Sequence, residues 1–213
     1  MKHSQQLGFG FEEMLHEQET AHLPGTMEEA IPHYRKLIEK HHAAMMAGDK
    51  EAAMAVRAEA NDLAYKRNGN DACGIKGGPD SIAAQLEHAT AAPEGTVPLW
   101  GQTGNYTIDI DGMKVRIEQD GMFAVGSHAM HWLAFSAHAV DWDKPFLSET
   151  GYQSFIGIFA PPEAGITPEN FARSVISGQI KREHKGKPYK IEKGYVEREM
   201  ARRAETSAKE HGQ

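Results

Sequence analysis

The feature that most constrains this chain is the dipeptide Asp111-Gly112, set between two alternating runs, Tyr106-Thr-Ile-Asp-Ile110 and Met113-Lys-Val-Arg-Ile117. Asp-Gly supplies the two positive-φ positions of a type I′ turn, whose twist suits a two-residue hairpin loop. Such a loop sets Ile110 opposite Met113, Ile108 opposite Val115 and Tyr106 opposite Ile117, so six apolar side chains share one face. The other face sets Asp109 opposite Lys114 and Thr107 opposite Arg116, bringing opposite charges together on the wet side. A slip of one residue would turn every apolar side chain to solvent, so the register is strongly specified. Asp120-Gly121 reads as a second turn leading into a strand over residues 122–125, which extends the hairpin into a meander.

Upstream of this sheet the pattern is helical. Thr26-Met27-Glu28-Glu29 has the form of a capping box, with Pro32 offering a second start at Ile31. Met27, Ile31, Tyr34, Ile38, His41 and Met45 recur at spacings of three and four and make one apolar stripe. Gly48-Asp49 can end that helix and cap the next, whose small residues Ala53, Val56, Ala60, Leu63 and Ala64 allow close approach. Residues 26–67 are therefore expected to form an αα-hairpin, followed by a glycine-rich connector and a short helix to about residue 89. The composition of residues 90–98 reads as a linker, which divides the chain into a helical module over 1–90 and an α+β domain over 97–213.

Downstream, residues 131–142 are nearly uncharged and read as a central strand buried on both faces. A polar loop follows, then a strand over 155–159 that ends at Pro161-Pro162. Thr167-Pro168 marks the cap and first position of a helix to about residue 183, whose apolar stripe should cover the sheet. A basic turn over 185–190 precedes a polar helix over 194–209. The fold class is α+β: an N-terminal helical hairpin, an antiparallel β-meander packed by a helix, and a polar C-terminal helix.

Charge narrows the classes of function. Residues 91–166 carry 3 basic and 9 acidic side chains, which opposes binding to a phosphate backbone, whereas residues 167–213 carry 11 basic and 7 acidic. Those C-terminal bases alternate with glutamates, as on a solvated helix with i,i+4 pairs, so a nucleic-acid-binding arm is the weaker reading. No stretch has the length and apolarity of a membrane span, and a single cysteine, Cys73, fits a reducing, cytoplasmic setting.

Three constellations bear on chemistry. His128, His131 and His138, with Asp141 and Asp143, could supply imidazole and carboxylate ligands for Zn or Fe and support a metal-dependent hydrolase. On an extended strand, however, His131 and His138 point to opposite faces, so the favoured expectation is no cofactor and hydrogen-bonded structural histidines. The glycine-rich stretch over 69–80 lacks the order of a phosphate loop and reads as a connector. The loop over 141–154 concentrates Trp142, Asp143, Ser148, Glu149, Thr150 and Tyr152, which suit recognition of another protein or a small polar ligand. No G-x-S-x-G elbow surrounds Ser148, so a nucleophile has little support, and the competing reading is a tight turn in which hydroxyls satisfy the backbone.

Within this loop region, His138-Ala-Val-Asp-Trp-Asp-Lys-Pro-Phe-Leu-Ser-Glu-Thr-Gly-Tyr-Gln-Ser-Phe155 resembles a segment of uncharacterised proteins carried by proteobacterial plasmids, phages and integrated elements. The resemblance implies an accessory role in mobile-element biology, in regulation or counter-defence, and brings no catalytic residues with it. The leading expectation is thus a cytoplasmic binding or regulatory protein.

Overall fold

The computed structural model describes residues 17–69, 78–123, 133–158, 163–183 and 187–210. Helix α1 (Met27–Ala47) starts at the capping-box position: the Thr26 side chain accepts from the Glu29 amide, and Pro32 is carried inside the helix. Its C-terminus closes on Gly48, and Asp49 caps α2 (Lys50–Arg67) by accepting from the Ala52 amide. A shorter helix, α3 (Ile82–Ala89), is capped by Ser81. Tyr34, Leu37, Ile38, Leu63 and Leu86 close the core between these helices.

Four strands follow, β1 (Gly104–Ile110), β2 (Met113–Gln119), β3 (Leu133–Ala139) and β4 (Tyr152–Ile158), in the order β1-β2-β3-β4 with every pair antiparallel. The β1–β2 register is the expected one at all five predicted pairs, and Asp111 (φ 53) and Gly112 (φ 85) form the turn. One face of the sheet is buried through Ile108, Val115, Ile117, Phe135 and Ala137. Helix α4 (Pro168–Arg182) covers it with Phe171, Ala172 and Ile176; the Phe171 ring meets Trp100 and Phe135 edge-on. Helix α5 (Lys193–Glu210) rests Tyr195 and Val196 against the same core. Glu199 takes hydrogen bonds from both Arg202 and Arg203 at 2.8 Å, and these hold its carboxyl down at about 2.

Three expectations need correction. First, β3 is buried on one side only: Leu133, Phe135, Ala137 and Ala139 face the core while Ala134, Ser136 and His138 are half-exposed. Its alanines make both faces look apolar in sequence, but the packing helices lie on one side. Second, the described part of the expected strand over 122–125 is a turn. Met122 and Phe123 drop into the helical core, where Phe123 stacks on Tyr34 at 5.3 Å. Third, β4 begins at Tyr152 rather than Phe155, so Tyr152, Gln153 and Ser154 are strand residues.

Residues 90–98 are hydrogen-bonded to the sheet's first strand region: the Ala92 amide donates to Thr103 and the Gly95 amide to Asn105. Trp100 then bridges helices and sheet, its amide donating to His42 and its indole to the Ile166 carbonyl.

Candidate functional site

The polar loop is built from the inside out. Phe146 and Leu147 are almost fully buried and anchor it, and Phe146 exchanges two backbone hydrogen bonds of 2.7 Å with Tyr189. Trp142 lies over Gly151, a positive-φ glycine whose added Cβ would meet the indole at 2.7 Å. Only glycine fits there, both for backbone and for contact. The Ser148 hydroxyl donates to the Tyr152 carbonyl at 2.7 Å, and Thr150 Oγ1 reaches the same carbonyl at 3.1 Å while accepting from the Tyr152 amide at 3.3 Å. Ser148 and Thr150 thus hold the turn, as hydroxyls do when they satisfy local backbone groups. Asp143, Glu149 and Tyr152 remain exposed.

Tyr152 stands on the open face of the sheet, in a row with His138 and Arg116. Its hydroxyl lies 3.2 Å from Ser136 Oγ, and its ring meets the His138 imidazole edge-on at 5.0 Å. His138 Nε2 in turn lies 2.9 Å from Glu118, which also accepts from Arg116 at 2.6 Å. Burial alone would raise the Glu118 carboxyl, but the Arg116 hydrogen bond and the His138 charge outweigh it and hold the group below its ordinary range. His128 and His131 lie outside the described residues. Of the candidate metal trio, then, His138 is engaged by a carboxylate, and among the described residues no group of three ligand side chains converges.

The feature that the sequence did not disclose lies along the side of β4 that pairs with no strand among the described residues. Because the Ala139 amide donates to Gly151, the antiparallel alternation turns the N–H and C=O of Tyr152 and Ser154 away from β3. The loop hydroxyls occupy the outward groups of Tyr152, and the Gln153 side chain donates to the Ser154 carbonyl at 3.0 Å. Ile156 is 67% exposed. Across from this edge stands α4, and between them runs a groove of about 510 Å³ lined by Ser154, Ile156, Val175, Gln179, Arg182 and Glu183. At its loop end a second cavity of about 360 Å³ is lined by Leu147, Ser148, Glu149 and Tyr189 and shares Gln153, Gln179 and Glu183 with the first. The one local signal for an edge was Ile156 itself, a bulky apolar residue beside Gly157, which takes φ 70 where β4 carries an extra residue.

Residues 103–199 match the family model described as the KlcB third domain. That stretch opens just before β1 and ends within α5, so it contains the sheet, the loop and both walls of the groove. Two proteins of Escherichia coli, each named Protein KlcB, are similar to the chain. One is 34% identical over 117 residues, covering 55% of this chain and 24% of the KlcB protein; the other is 31% identical over 156 residues, covering 73% and 37%. The chain therefore spans between about a quarter and somewhat over a third of the length of these KlcB relatives. No solved structure matches it. No helix among the described residues is long and apolar enough to cross a membrane.

Proposed function

We propose that this chain is a cytoplasmic protein-binding module that takes an extended segment of a partner along β4, in an accessory or regulatory role in mobile-element biology. The observation that carries the reading is an edge strand facing a helix across an open groove. Extended peptides add to such edges through main-chain hydrogen bonds, and pockets for alternate side chains give specificity. The loop over 141–154 belongs to this surface: Ser148 and Thr150 fix where the free edge starts, while Glu149 and Tyr152 border it. The accessory role draws on the resemblance of residues 138–155 to mobile-element proteins. Among the described residues no cluster of ligand side chains favours a metal-dependent hydrolase.

The test is panning of a random octapeptide display library against the purified chain, in parallel with Ser154→Pro. Proline at 154 removes only an outward N–H, so the β3–β4 ladder survives. Peptides rich in β-branched residues should be enriched by the wild type and lost by the variant, whose melting point stays within a few degrees. Failure to enrich any peptide, or equal retention by Ser154→Pro, would reject the edge as the docking site.

A further inference from the structure

The edge of β4 lacks the features that keep exposed edges from pairing. From Tyr152 to Ile158 it carries neither a charged side chain nor a proline, the residue types that most often guard an edge. Its two large exposed side chains are Tyr152 and Ile156, 46% and 67% exposed. By the two-residue period of a strand both lie on the open face of the sheet with Ser154 between them, while Phe155 turns inward to stack on Phe135. Tyr152 and Ile156 thus stand at equal distances either side of Ser154. A strand arranged in this way is complementary to its own reversed copy.

We infer that the extended segment taken up along β4 is β4 of a second copy of this chain, paired antiparallel about a two-fold axis at Ser154. The inference rests on the docking-edge reading above and names its occupant. Hydrogen bonding selects the axis. Tyr152 has its outward N–H and C=O engaged by Thr150 and Ser148. The Ser154 amide points away from β3, and its carbonyl, which accepts from the Gln153 side chain, has a second lone pair to offer. Setting Ser154 against Ser154 of the second copy exchanges two main-chain hydrogen bonds at the axis. Tyr152 of each copy then falls opposite Ile156 of the other on the same face, so both exposed side chains are covered by aromatic contacts with a β-branched residue. On the core side Gln153 falls opposite Phe155. Because the strand is neutral, the two-fold axis brings no like charges face to face, whereas a charged strand would repel its own copy. The bulge at Gly157 ends the stretch, so the contact is short and belongs with weak, transient interfaces.

Sedimentation velocity of the full chain tests this: between about 10 µM and 1 mM the sedimentation coefficient should climb toward that of a dimer, the range a weak interface requires. Ser154→Pro, Tyr152→Lys and Ile156→Glu, each checked for folding by its melting curve, should weaken association at least about tenfold. An equimolar mixture of Tyr152→Lys and Ile156→Glu should recover association to within about threefold of wild type, because the mixed dimer keeps one tyrosine–isoleucine pair and gains one lysine–glutamate pair. That rescue is specific to the register about Ser154. If the wild type stays monomeric while octapeptides still bind it and are lost by Ser154→Pro, the second copy is the wrong occupant and the docking edge stands. If the chain dimerises but Ser154→Pro leaves the dimer unchanged, or the mixture associates no better than either variant alone, the copies meet elsewhere and the inference fails. If the wild type neither dimerises nor enriches any peptide, both readings fail.

Discussion

The Nε of Arg57 donates to Nε2 of His41 at 3.0 Å, deep between the two long helices, and His41 Nδ1 meets the Trp100 carbonyl oxygen at 3.0 Å. His41 is thereby fixed as the neutral Nδ1–H tautomer, accepting on one side and donating on the other. Burial drives the Arg57 guanidinium down to about 10 from its ordinary value, the cost of holding a charge where solvent is scarce. His41→Leu should therefore destabilise the fold by about 2–4 kcal/mol, because it strands a buried cation. The double variant His41→Leu with Arg57→Met should recover most of that loss, and urea unfolding of all four chains reads the coupling.

Gly112 has nothing within 4 Å of where a Cβ would stand, so a side chain there meets no neighbour and only the positive φ resists it. Gly112→Val should cost about 1–3 kcal/mol through backbone strain. An unchanged melting point would mean that the hairpin does not depend on its type I′ turn.

Glu118 carries a pH signature. Its folded carboxyl titrates below its ordinary value, so the stability it adds is complete above the unfolded range near pH 4.3 and is lost as pH falls through the lower folded value. Thermal melts from pH 7 to pH 3 should show wild type above Glu118→Gln at neutral pH, with the gap closing below about pH 4.

Dialysis against a chelator should leave the melting temperature unchanged, because His138 pairs with Glu118 and no three ligand side chains converge among the described residues. A drop of several degrees, reversed by Zn²⁺, would revive the histidine cluster as a metal centre.

The hairpin was legible because its determinants are local: turn dipeptide, alternation and cross-strand charge lie within twelve residues. The helical hairpin was legible for the same reason, through its caps and its stripe. The start of β4 was hidden because Ser148 to Ser154 is rich in hydroxyls, and a hydroxyl that caps a strand edge cannot be told in sequence from one in a free loop. Ser148 and Thr150 were singled out for recognition, and they spend their hydrogen bonds on Tyr152. Gln179, Glu183 and Tyr189 carried no signal, because a groove between a strand edge and a helix depends on how two distant segments pack. Met122 and Phe123 went astray similarly, since alternation cannot show which core a side chain will enter.

The outward groups of Tyr152 are already occupied by the loop hydroxyls, and those of Ser154 in part by Gln153. A guest chain docked as proposed would zip along only a short stretch, and would trade one existing bond for one new one as it did so. Little is gained from the main chain in such an exchange, so the lifetime of a complex is set by the side chains it seats. On the proposed docking, such a surface would let its occupant go quickly, and would suit a protein that samples partners in turn more than one that holds a single partner for good.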